Sequence, residues 1–159
     1  MRTILISGAS SGIGLNIAHR ELKAGNRISI GIRDLESVKG SVIDPTNWPK
    51  EKVLINKYDA LDKLTTEKWI KNTISKYGGF DSLINCSGVL SKIPFLYKDG
   101  DEAEILNTFN INFLAIWNLC RLSWKHLSQS NNGRIIVLVS MSGNCLLYTS
   151  PSPRDAHKS

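Results

Sequence analysis

Residues Ser7–Gly14 read SGASSGIG. They follow Thr3–Ser7, TILIS, a short and continuously apolar run of the kind that forms a strand buried on both faces. Behind them, GIGLNIAHRELKAGN places Leu15, Ala18 and Leu22 on one helical face and stops at Gly25-Asn26. The eight residues are therefore a strand-to-helix turn with glycines at positions 8, 12 and 14. Side chains there would hold a phosphate away from the backbone. Glycine lets the N–H groups of the helix N-terminus reach it, and the helix dipole favours its charge. The spacing is GxxxGxG, not GxGxxG. A tight turn that is merely glycine-rich is the alternative; the strand–turn–helix context favours a phosphate site.

Outward from the turn the pattern repeats. RISIGIRD alternates Ile28, Ile30 and Ile32 as a second strand, and KVLINKYDA gives a third. Leu61 to Tyr77 reads as a helix with Ile70, Ile74 and Tyr77 in register, ended by Gly78-Gly79. DSLINCSG is a fourth strand entering a turn. From about Asp101 to Leu127 the spacing of Ile105, Phe109, Phe113, Ile116, Cys120 and Trp124 predicts one long amphipathic helix. RIIVLVS reads as a fifth strand of the buried type running into Ser140, and without a sixth and seventh strand it would become an exposed sheet edge. Gly40 to Lys50, with Pro45 and Pro49, is a loop where the helix between the second and third strands is short or lost. Strands alternating with helices predict an α/β fold, a parallel sheet with helices on both faces.

The bulk properties exclude several classes. A chain of 159 residues with 42% apolar content supports one domain with a core and is not a disordered chain. No apolar run is long enough to cross a membrane, and MRTILIS is no signal peptide, which gives a cytoplasmic location by default. Cys86, Cys120 and Cys145 are odd in number and lack CxxC spacing; His19, His126 and His157 lie far apart. No disulfide framework and no metal site is expected. The net charge of +6 is scattered, without a Lys/Arg block, so nucleic acid is disfavoured and an anionic small molecule is favoured.

Four motifs in order give the chain its resemblance to the short-chain dehydrogenase/reductase family. They are the glycine turn Ser7–Gly14, the NCSG turn Asn85–Gly88, Asn112 in NINFLA, and Ser140 at the end of the fifth strand. The resemblance covers residues 1–143 and implies a Rossmann-like, doubly wound parallel sheet, here incomplete, of about five strands in the order 3-2-1-4-5. It implies an oxidoreductase that moves hydride between NAD(P) and a small-molecule carbonyl or secondary alcohol, as a homo-oligomer in the full-length form.

The resemblance also implies roles. Ser7, Gly8, Ser10, Ser11, Gly12, Ile13 and Gly14 would hold the cofactor, with Asn85, Ser87 and Gly88 near the nicotinamide ribose. Asp59 would accept a hydrogen bond from the adenine amino group, with a backbone donor at Ala60; a solvated cap on the next helix is the alternative. Ile32 stands where the family's usual acid would meet a ribose 2′-OH, and Arg33 follows. A guanidinium pairs well with a 2′-phosphate, which favours NADP over NAD, although Asp34 is adjacent and an exposed Arg-Asp turn is the rival reading. Asn112 lies by the apolar stripe of its helix, where an amide needs a partner; the resemblance gives it a water in a proton relay. Ser140 would polarise the substrate carbonyl while a tyrosine, its pKa lowered by a lysine one helical turn on, exchanges the proton.

That Tyr-x-x-x-Lys pair is not in the sequence. Tyr148 is followed four residues later by Ser152, and Lys158 stands four after Arg154, with Pro151 and Pro153 against any helix. The expectation is a dinucleotide-binding domain over 1–143, truncated before that pair and without activity as written, followed by a non-native or disordered tail over 144–159. A non-catalytic dinucleotide sensor or partner protein is the alternative, and a fragment that does not fold stably is a third.

Overall fold

The computed structural model describes residues 1–94, 96 and 98–140. β1 (Thr3–Ser7) leads into α1 (Gly12–Lys23) and β2 (Arg27–Ile32). Two 3-10 turns, Leu35–Val38 and Pro45–Asn47, stand in the loop before β3 (Val53–Lys57), where no longer helix forms. Then come α2 (Lys63–Tyr77), β4 (Ser82–Asn85), α3 (Glu102–Phe109), a π-helical turn (Asn110–Leu114), α4 (Ala115–Gln129) and β5 (Arg134–Val137). The sheet is parallel, as the alternation of strands and helices predicts, and its order β3-β2-β1-β4-β5 is the one the resemblance implies.

β1 lies at the centre, and all five of its residues are buried. Its alternating side chains feed two cores. Ile4 and Ile6 join Ile28, Ile30, Ala18 and Leu22 under α1; Leu5 joins Leu83, Trp69, Leu119 and Leu127 under α2 and α4. α2 begins one residue pair later than expected, because the Asp62 carboxylate accepts from the Leu64 N–H at 2.9 Å and caps the helix. Gly78, at φ 78°, ends it in the left-handed conformation.

One expectation is corrected. The run from Asp101 to Leu127 is not one regular helix with its aromatic stripe inward. α3 buries none of its residues, and α4 turns Ala115, Leu119, Ser123 and Leu127 to the sheet. Phe109, Phe113 and Trp124 are about half exposed or more, and Phe109 stacks on Phe113 with centroids 5.1 Å apart. The residues at i, i+4, i+8 and i+12 include small ones that let the helix approach the strands closely, and this outweighs the larger aromatic stripe on the opposite side. β5 is an edge strand with Ile135 and Ile136 exposed, as expected of a fifth strand with no sixth beside it among the described residues. No described helix is long and apolar enough to cross a membrane. Tyr148, Ser152, Lys158, Cys145 and the 144–159 boundary lie outside the described residues.

Candidate functional site

The strand ends at the carboxyl edge of the sheet open onto a cleft of about 380 Å³. β1 is flanked by β2, which returns through α1 on one side, and by β4 on the other, so the cleft lies where the strand order reverses.

The glycine turn forms one wall. Gly8 has φ 70°, and a Cβ there would lie 2.8 Å from the Ser87 nitrogen. A Cβ at Gly14 would lie 2.5 Å from the Gly8 oxygen. Those contacts hold the turn, the loop after β4 and α1 closer together than any side chain allows. Ser11 stands at the N-cap with no side-chain cap bond, and the helix ladder starts at Leu15 N–H to Ser11 O, 3.2 Å. The N–H groups of Gly12, Ile13 and Gly14 therefore precede the first helical bond. The space beside Gly12 is open, and Ile13 is exposed. Three N–H groups at an open helix N-terminus fit a dinucleotide pyrophosphate. Gly8, Ser10 and Ser11 line the cleft directly.

Beneath this wall Ser7, Asn85 and Ser87 form a hydrogen-bonded triangle. Ser7 Oγ donates to Asn85 Oδ1 at 2.6 Å, Ser87 Oγ donates to the same oxygen at 2.9 Å, and the two hydroxyls lie 3.1 Å apart. Asn85 Nδ2 donates to the Ser87 carbonyl at 3.1 Å. The triangle shapes the loop that carries Ser87 and Gly88 into the cleft. Cys86 lines it as well, and burial pushes its thiol pKa up, so it is protonated at neutral pH and no nucleophile.

The opposite wall comes from the ends of β2 and β3. Arg33 and Asp34 leave β2 exposed, whereas Ile32 is buried. The Asp34 carboxylate accepts from the Glu36 N–H at 3.0 Å and caps the following turn. Among the described residues the ion pairs are Lys39–Glu36 and Lys63–Glu67, and neither involves Arg33. Asp59 and Ala60 follow β3 in the cleft; Asp59 Oδ1 accepts from the Leu61 N–H at 3.0 Å. The helix cap considered for Asp59 belongs to Asp62 instead.

Asn112 sits in the π-helical turn and is exposed, not packed in an apolar stripe. Its Nδ2 donates to the Val89 carbonyl at 2.8 Å and its Oδ1 accepts from the Val89 N–H at 2.9 Å. It thus clamps the start of the loop after β4, and its neighbour Ile111 lines the cleft. One amide hydrogen and one lone pair remain for a further partner. Ser140 is exposed, three residues past the end of β5, and is not among the residues that line the cleft.

Sequence reasoning missed Gly31, Ser37, Tyr58, Val89 and Ile111 in the cleft wall. Tyr58 carried one signal, an aromatic residue at a strand end next to Asp59. Its hydroxyl is buried, and burial raises its pKa.

The family model for short chain dehydrogenases matches residues 2–151. Agropine synthesis reductase of Rhizobium rhizogenes is 31% identical over 144 residues, which are 91% of this chain and 32% of that protein. The dehydrogenase/reductase SDR family protein 7-like of Dictyostelium discoideum is 30% identical over 146 residues, 89% of this chain and 46% of that one. The chain thus spans between about a third and a half of the length of these relatives. Among solved structures, a short-chain dehydrogenase/reductase from Brucella melitensis superposes with a TM-score of 0.80 at 24% identity, covering 90% of this chain and 56% of that one. A dehydrogenase/reductase from Sinorhizobium meliloti does so with 0.76 at 26% identity, covering 87% and 54%. With its glycine turn, its sheet order and a family match over nearly all its length, the chain belongs to the short-chain dehydrogenases, a family of oxidoreductases.

Proposed function

We propose that the chain forms the cofactor-binding portion of an oxidoreductase that moves hydride between NADP(H) and a carbonyl or secondary alcohol. The observation that carries this reading is the convergence of the glycine turn, Arg33, Asp59 and the Ser87–Gly88 loop on one cleft at the carboxyl edge of the sheet. The N–H groups of Gly12, Ile13 and Gly14 hold the pyrophosphate. Asp59 and the Ala60 backbone hold the adenine. Arg33 meets the 2′-phosphate: Ile32 is buried and the Asp34 carboxylate is engaged by Glu36, so the end of β2 presents a cation. When bound, the nicotinamide supplies or takes the hydride.

Ser140 orients the substrate carbonyl by a hydrogen bond, and Asn112 fixes the loop at Val89 while offering its remaining hydrogen to a relay water. Proton transfer in this chemistry needs a Tyr-x-x-x-Lys pair, and the 159 residues contain none. A second reading, favoured by the exposed position of Ser140 outside the cleft lining, is a dinucleotide-binding sensor or partner without turnover. Calorimetric titration with NADPH and NADH, together with carbonyl-reduction assays, tests both. Binding with NADPH preferred supports the proposal. Turnover abolished by Ser140→Ala overturns the second reading, and no binding of either nucleotide overturns both.

A further inference from the structure

Gly31 lies near the end of β2 and lines the cleft. A Cβ built on it would fall 2.7 Å from two ring carbons of Trp69. Trp69 comes from α2 and is fully buried. Its indole N–H donates to Ser29 Oγ at 2.9 Å, Ser29 Oγ lies 2.6 Å from Thr73 Oγ1, and Thr73 Oγ1 donates to the Trp69 carbonyl at 2.9 Å. Ser29 and Thr73 are fully buried too. A closed network of this kind leaves the indole one position.

The same ring meets Tyr58, with centroids 5.1 Å apart and planes at 48°. Tyr58 also lines the cleft, one residue before Asp59. One side chain thus backs two residues of the cleft wall from below. The Gly31 carbonyl accepts from the Gly8 N–H at 3.0 Å, and the Tyr58 N–H donates to the Ile32 carbonyl at 2.8 Å. The peptides resting on Trp69 therefore tie the end of β2 to the glycine turn on one side and to the end of β3 on the other.

We propose that Trp69 is a positioning residue for the nucleotide: its locked indole sets the height of Gly31 and Tyr58, and so the depth of the base end of the cleft. This rests on the nucleotide-binding reading above. Because Trp69 acts through Gly31 and Tyr58, its effect on affinity must be coupled to residue 31. A tryptophan that merely fills the core would change stability and leave the affinity of the folded protein alone.

The test is a double-mutant cycle on the whole chain, read as affinity for adenosine 2′,5′-bisphosphate by titration calorimetry, with near-ultraviolet circular dichroism to report folding. Gly31→Ala should weaken binding about tenfold, and Trp69→Leu by a similar factor. The pair should bind more tightly than Gly31→Ala alone, because leucine leaves room for the new methyl group. Trp69→Phe keeps a ring against both neighbours and should restore most of the affinity lost in Trp69→Leu. Folded Trp69→Leu with wild-type affinity, or strictly additive losses, overturns the proposal. Where the leucine variant does not fold, Ser29→Ala frees the indole without a large cavity; weakened binding supports the proposal and unchanged binding overturns it. A wild-type chain that binds no probe overturns the nucleotide reading itself, whereas a binding wild type with indifferent variants overturns the positioning role alone.

Discussion

Ser7 and Asn85 face each other across β1 and β4, both fully buried, with the serine Oγ donating to the asparagine Oδ1 at 2.6 Å. This pair is the hinge between fold and cleft: its outer partner is Ser87, on the loop that contacts Gly8. Asn85→Leu takes the shared acceptor from the Ser7 and Ser87 hydroxyls, leaving them only each other at 3.1 Å, and deprives the Ser87 carbonyl of its donor. A buried group left without its partner costs about 1–3 kcal/mol. Urea unfolding should show a loss on that scale, and a midpoint equal to wild type would mean the triangle contributes nothing.

Arg33→Ala should lower NADPH affinity about tenfold or more, the scale of a hydrogen bond to a charged group, while NADH affinity hardly changes. Raising the salt concentration should weaken NADPH binding more in wild type than in the variant, because the Arg33 contact is exposed and screened. Equal losses for both nucleotides would move the 2′-phosphate contact elsewhere.

Asn112→Leu removes both bonds to Val89. The expected sign is faster hydrogen–deuterium exchange at Val89 and along the following loop, with exchange in β1 and β2 unchanged. Adenosine 2′,5′-bisphosphate affinity should stay within about threefold, because the base end of the cleft lies on the other side of β1. General loss of protection across the sheet would show instead that Asn112 supports the whole fold.

Tyr77 gives a pH prediction. Burial pushes its phenol up to about 12, and its hydroxyl is buried without a partner. The folded protein therefore favours the protonated ring. Its contribution to stability is complete below the unfolded value of about 10 and is lost as pH rises through the folded one. Stability measured by urea unfolding should fall between those two values. In Tyr77→Phe that fall should be smaller, with stability at neutral pH equal or higher, since the phenylalanine buries no hydroxyl. An identical alkaline slope in the variant would assign the loss to other groups.

The strands and the glycine turn were legible because each signal is local, whereas the strand order came only with the family resemblance. TILIS is apolar throughout, RISIGI alternates, and the glycines fall within one turn. The burial of α4 was not legible. Two stripes compete along the run from α3 to α4, and Phe109, Phe113 and Trp124 outweigh Ala115 and Ser123 in hydrophobicity. Contact with the sheet rewards small size, which a periodicity count does not see. Trp69 was passed over for a related reason. Its neighbours Thr66 and Thr73 are buried with it, so the inward face of α2 reads as half polar until Ser29 appears opposite. The cleft was legible where backbone chemistry defines it, at Gly8 and Asp59. It was not at Val89 or Ile111, which come together where Asn112 ties the loop after β4 to the π-helical turn.

The π-helical turn at Asn110–Leu114 holds one residue more than a regular turn, with the Ala115 N–H reaching back to the Asn110 carbonyl. Such a turn behaves as an insertion absorbed on the spot. Removing one residue there would close it to the ordinary spacing and leave Leu119 and Leu127 in phase with the sheet, while carrying the carboxamide of Asn112 away from Val89. A lineage could therefore acquire or discard this corner of the cleft through a single-codon insertion or deletion, with the rest of the helix undisturbed.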